Sequence, residues 1–201
     1  MSTTGTSVFQ NRRFTPLFWT QALGAFNDNL YKNGIIALFT FGNVKGHLSA
    51  AQLVPVAGGL FILPYFLFSG ISGVASDKYE KSAILRASKA LEVVIMIGGA
   101  LGFLLQNDLI LLALLFLMGV QATTFGPAKY SILAQLVEPD ELVSATGAVE
   151  FGTFLAILLG TMAGVIVTWN HGPQMVAGGV LLFAVLGYLA SRGIPEVPRT
   201  A

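Results

Sequence analysis

The segment from Gln21 to Lys32 (QALGAFNDNLYK) holds an acid, a base and three amides within a run from Pro16 to Phe41 that is otherwise apolar. Such a run is long enough to cross a bilayer, which takes about 20 apolar residues. A charged side chain at mid-bilayer costs roughly 2.5–3.5 kcal/mol on insertion scales, so charges placed there mark function by default. At about 100° per residue, Gln21, Asp28 and Lys32 share one helical face with Gly24 and Ala25 between them. That stripe, with Asn27 and Asn29 beside it, must face a polar cavity, a partner helix or a substrate.

Further chemistry lies in later apolar runs. Lys129 and Glu150 flank the acidic turn Glu138–Glu141 at similar distances along the chain. If that turn joins two antiparallel helices, equal rise per residue sets both at one depth, roughly 15 Å from the turn. An intramembrane ion pair is one reading; snorkelling of Lys129 to the surface is the other. Lys89 and Glu92 are three residues apart on one face, either as a structural pair or as substrate contacts. Gln121 can bond a polar head group or a neighbouring helix.

The composition supports a membrane location. Hydrophobic residues make up 54% of the chain and charged residues 10%, against about 25% charged in soluble domains. Mean hydropathy is +0.74. The 11 basic and 10 acidic residues nearly cancel, so no nucleic-acid-binding surface is expected. The absence of cysteine excludes disulfides, thiolate metal sites and cysteine catalysis. His47 and His171 are placed in loops, and neither has a carboxylate at ligand spacing, so no metal or other cofactor is expected. No serine, histidine and acid converge on neighbouring apolar runs, so the chain is not read as an enzyme. The run after Arg12 and Arg13 is too long and too charged for a cleavable leader.

Six spans follow from hydropathy: about 16–41, 51–74, 83–106, 109–136, 142–168 and 174–191. They give an all-α membrane domain over about 16–192, with tails 1–15 and 193–201. Arg12, Arg13, Lys78, Lys81, Arg86, Arg192 and Arg199 fall on one side and only Lys45 on the other. By the positive-inside rule both termini are cytoplasmic, which requires an even number of spans. Gly98, Gly99, Gly102, Gly160 and Gly164 suit close helix packing in lipid. Pro64 and the Gly126-Pro127 pair are expected to interrupt spans two and four.

The stretch from Gly73 to Lys81 (GVASDKYEK) between spans two and three resembles the cytoplasmic loop of the major facilitator superfamily, G-x-x-x-D-[RK]-x-G-[RK]. Gly73, Asp77, Lys78 and Lys81 match; Glu80 stands where that family has glycine. Together, GAFNDN at Gly24–Asn29 and TTFGPAKYSIL at Thr123–Leu133 resemble the bacterial lysophospholipid transporter family within that superfamily. The resemblance covers about Phe14 to Pro195, corresponding to the N-terminal six-helix half of a twelve-helix carrier. It implies two three-helix repeats, about 16–106 and 109–191, and a latch at the Gly73–Lys81 loop. It also implies alternating-access movement of lysophospholipid from the outer to the inner leaflet of the bacterial inner membrane. The partners implied are a second six-helix half or a dimer mate, and an acyltransferase or acyl-carrier-protein ligase in some relatives. A zwitterionic head group needs both signs of charge, which Asp28 and Lys32 supply. Two alternatives stand beside this reading. One is a proton-coupled carrier of a small solute, with Asp28 or Glu150 as the proton site. The other is a membrane domain serving a fused or partner acyltransferase.

Overall fold

A computed structural model describes residues 8–42 and 46–197. Lys45 and Arg199, both used for the charge asymmetry, lie outside the described residues, as do parts of both tails. Six long helices follow a short 3-10 turn at Val8–Gln10: α1 Thr15–Phe41, α2 Ala50–Lys78, α3 Lys81–Leu105, α4 Asp108–Leu136, α5 Leu142–His171 and α6 Pro173–Arg192. The five helices α2 to α6 are long and apolar enough to cross a membrane. At 27 residues, α1 is about 40 Å long, and its polar stripe accounts for its lower apolarity.

Local signals set most helix ends. The α2 start is a capping box between Ser49 and Gln52. Glu80 caps α3 and Asn107 caps α4. The α3 end is closed by Gln106 in the left-handed region, and the α5–α6 corner turns on Gly172 at φ 78°.

Three expectations need correction. The helix α2 does not stop near residue 74 but runs to Lys78, so only Tyr79 and Glu80 separate it from α3. The charges of Asp77 and Lys78 suit a loop by composition, but a solvated helix end carries them without penalty. His171 is the last residue of α5, not part of a loop. Neither Pro64 nor Pro127 breaks its helix. A proline removes one N–H from the ladder and leaves one carbonyl four residues earlier without its helical donor, at Pro127 that of Thr123, and the helix continues through it.

The helices pack as α1 against α5 and α6, α4 against α2 and α3, and α3 against α6. Small residues allow the closest approaches. A Cβ on Gly160 would strike the Phe26 carbonyl oxygen of α1, and one on Gly164 would lie 2.8 Å from that of Leu30. A Cβ on Gly99 would press into the Tyr31 ring at 2.6 Å. These glycines therefore serve the helix packing expected of them.

Two apolar cores fill the bundle. One gathers Tyr31, Ile35, Met96, Phe103, Leu115, Met118 and Val180. The other, towards Arg12, gathers Phe14, Leu17, Leu85, Phe125, Ile132, Ile194 and Val197. Between Leu17 and Leu30 of α1, Leu85 and Ile95 of α3, and Met118 and Phe125 of α4, both cores are interrupted at one level. The polar residues sit there.

Candidate functional site: a polar layer between two apolar cores

The interruption is a small cavity of about 100 Å³ between α1, α2, α3 and α4. Gln21, Gly24, Ala25 and Asp28 line its α1 wall, as expected of the stripe. Tyr65 of α2, Lys89 of α3, and Gln121, Phe125 and Lys129 of α4 complete it.

Each polar group has a distinct commitment. Lys89 Nζ lies 2.5 Å from Glu92 Oε2, and both residues are almost wholly buried, at 3% and 1% exposure. Asn27 donates to Glu92 Oε1 at 3.0 Å, which ties α1 to α3. Gly24 leaves room for this pair, because a Cβ there would displace the Lys89 ammonium. Lys89 also stands 5.1 Å from the Phe125 ring centroid, a cation–π distance. Gln121 donates to Ser88 Oγ at 2.9 Å, so its amide links α4 to α3. Gln21 donates to Thr153 Oγ1 of α5 at 3.1 Å.

Asp28 differs from the rest. Its Oδ1 is buried and has no hydrogen-bond partner, and no ion pair among the described residues includes it. Buried polar atoms are paired in the great majority of cases, so an unmatched carboxylate oxygen on a cavity wall calls for explanation. Asn27 Oδ1 is likewise unmatched.

Other candidates fall outside the cavity wall. Lys32 reaches towards Phe61 of α2, with its ammonium 5.5 Å from the ring centroid. Asn29 spends its amide on the Ala25 carbonyl of its own helix, at 2.8 Å.

The structure brings Lys129 and Glu150 together, with Nζ 3.6 Å from Oε1. Tyr130, not singled out from the sequence, donates its hydroxyl to Glu150 Oε1 at 2.5 Å. Lys129 is buried and Glu150 is half-exposed. Removing one member strands the other charge in a poor dielectric, which costs more than removing both. Lys129→Ala and Glu150→Ala are each expected to lower stability by about 2 kcal/mol or more, with the double change milder than their sum. Unfolding in mixed micelles measures this, and strictly additive losses would mean that the two charges do not interact.

At the α2–α3 junction, Gly73 lies inside α2 with open space beside it, Asp77 and Lys78 are exposed, and Lys81 is buried. Glu80 replaces the tight glycine turn with a cap. Partial burial works against its charge, but bonds from the Ser82 amide and hydroxyl and the Ala83 and Val197 amides outweigh it. The carboxyl is therefore held below the usual range. Its contribution to stability is present above the ordinary glutamate pKa and fades as the pH falls through the lowered one.

At the opposite end, the Asp108 carboxylate accepts the His47 backbone N–H at 2.6 Å and lies 2.7 Å from its Nδ1. Sequence spacing concealed this pair, whose members are 61 residues apart.

A family model described as Major Facilitator Superfamily matches residues 16–201. Over 175 residues, or 87% of its length, the chain is 31% identical to the lysophospholipid transporter LplT of Salmonella schwarzengrund (strain CVM19633). The lysophospholipid transporter LplT of Salmonella typhimurium (strain LT2) gives the same identity and coverage. In both cases the match takes in 41% of the relative, so the chain spans about two fifths of the length of these curated proteins.

Proposed function

Because this chain belongs to the major facilitator superfamily, we propose that it forms the N-terminal six-helix half of a carrier that moves lysophospholipid across a membrane by alternating access. The observation that carries this reading is the unmatched Asp28 carboxylate on a polar cavity held between two apolar cores. An acceptor left unsatisfied in such a place suits a ligand that arrives with a donor or a cation. Lys89 and Lys129 line the same cavity, each already beside a carboxylate, Glu92 and Glu150, so an anionic phosphate would share them with those acids. The similarity to proteins named as lysophospholipid transporters supports the substrate class.

In this reading α1 is a span alongside the five more apolar helices, inserted with the help of its neighbours because its own apolar gain is small. The 3+3 repeats follow the packing: exchanging α1, α2, α3 for α4, α5, α6 turns the contacts of α1 with α5 and α6 into those of α4 with α2 and α3. Such nested repeats are usual in each half of these carriers. Asp28, Lys89, Gln121 and Lys129 line the substrate path, Glu150 and Asn27 hold Lys129 and Glu92 beside it, and Lys32 and Asn29 stand outside the wall of this conformation. Gly73, Asp77, Lys78 and Lys81 serve as the latch, with Asp77 and Lys78 exposed where a second half can meet them.

Both termini are assigned to the cytoplasm. Arg12, Arg13, Lys78, Lys81, Arg86 and Arg192 gather at the end of the bundle where α1 begins and α6 ends. Reporter fusions at Ala201 and at His47 are expected to score cytoplasmic and external respectively, and the reverse pattern would overturn the topology. The function is tested by uptake of radiolabelled lysophosphatidylethanolamine into spheroplasts expressing the complete carrier. Uptake above the level of cells lacking the gene is expected. If only a small solute accumulates, and a protonophore abolishes it, the proton-coupled alternative wins.

A further inference from the structure

Away from the polar layer, a second set of openings runs along the outside of the bundle. Beside the start of α1 lies a cleft of about 680 Å³ between α1 and α6. Arg12 stands at its mouth, and Pro16, Trp19, Leu23, Leu186 and Leu189 line its length. A groove of about 210 Å³ continues from it, sharing Trp19 and Leu23, and runs past Ala22 to Phe26 and Phe183. From Thr15 to Phe26 the helix rises about 16 Å. That is close to half of the hydrocarbon core, about 30 Å thick.

The cleft therefore has the length of one leaflet and a cation at the leaflet's surface. No acidic residue lines either part, and none of the ion pairs among the described residues uses Arg12. The Arg12 side chain is exposed at the point where a lipid phosphate would lie. Trp19, about half exposed at 52%, stands beneath it at the depth usual for an interfacial aromatic. At the cleft's polar end Gly193, just past α6, packs closely on Pro16, where a Cβ would lie 3.2 Å away.

We propose that this cleft is a binding site for one anionic phospholipid of the leaflet on the Arg12 side. The phosphate lies at Arg12, and an acyl chain lies along Trp19, Leu23 and Leu189. This site is distinct from the cavity at Asp28 and does not depend on what that cavity carries. An ordinary boundary lipid would occupy the apolar groove without regard to head group. Charge at the mouth is what makes the site selective.

The chain has two tryptophans, Trp19 and Trp169. Trp169 is near the other end of the bundle, in the last turn of α5. In a Trp169→Phe variant, fluorescence reports Trp19 alone. The variant is reconstituted in phosphatidylcholine vesicles holding a small matched fraction of lipid brominated on its acyl chain, either phosphatidylglycerol or phosphatidylcholine. Quenching of Trp19 is expected at about three- to fivefold lower mole fraction of the brominated phosphatidylglycerol, the preference that one basic residue gives near a membrane surface. Raising the salt is expected to shrink the difference. Adding Arg12→Gln, an exposed change outside the helices, is expected to abolish the preference while leaving quenching by phosphatidylcholine as it was. Equal quenching by both lipids overturns the proposal, and so does a preference that survives Arg12→Gln. Protection of Trp19 from both lipids also overturns it, since a second copy of the chain would then cover the cleft.

Discussion

Asp28→Asn is expected to abolish lysophospholipid uptake by the complete carrier while the protein still reaches the membrane in normal amount. The substitution keeps the shape of the side chain and removes its charge. Asp28 Oδ1 is buried without a partner, so no native ion pair is lost and the fold has little reason to fail. What is lost is the acceptor for the incoming group. Truncating one member of a buried, hydrogen-bonded charge pair costs about 2–5 kcal/mol in binding, and the lower bound already amounts to about thirtyfold. Uptake of labelled lysophosphatidylethanolamine is therefore expected to fall by at least about thirtyfold. Asp28→Glu keeps the charge but moves it by a methylene in a cavity of about 100 Å³, so partial activity is expected. Uptake at the wild-type rate in Asp28→Asn would make Asp28 a structural residue and remove the main support for the lipid-cavity reading.

The position of Asp28 was legible because a charge in an apolar run has few explanations, and helical periodicity then put Gln21, Gly24 and Ala25 on the same wall. Lys129 and Glu150 could be paired by counting outward from the Glu138–Glu141 turn, because two antiparallel helices rise equally. Neither method reaches across helices that are not joined by a short turn. The bonds from Asn27 to Glu92 and from Gln121 to Ser88 join residues 65 and 33 apart. They depend on how α1 and α4 rotate against α3, which the bundle as a whole decides. Tyr65 was hidden for the same reason, as one polar tip in a mostly apolar helix. The end of α2 was misplaced for a different reason. Composition separates membrane from water, but a helix can cross that border without ending, and α2 carries Asp77 and Lys78 into water as its last residues.

The other large effect concerns the pair that holds the polar layer in place. Lys89→Met is expected to destabilise the chain by about 3–5 kcal/mol, because it leaves the Glu92 carboxylate buried with only Asn27 to answer it. Adding Glu92→Met removes the stranded charge and replaces two buried ionic groups with apolar side chains of similar length. Buried pairs exchanged in this way are often close to neutral. Here a residual loss of about 1–3 kcal/mol is expected, because the Asn27 amide would lose its acceptor. The double variant is therefore expected to be more stable than Lys89→Met alone. Gly24→Ala is expected to act in the same direction as Lys89→Met but more weakly, since its methyl group would displace the ammonium rather than delete it. Unfolding by increasing fractions of denaturing detergent in mixed micelles measures all three on this chain without any transport assay. A double variant less stable than Lys89→Met would show that the two charges contribute more to the fold as an ion pair than packing can replace. The polar layer would then be held by electrostatics rather than by the apolar cores on either side of it.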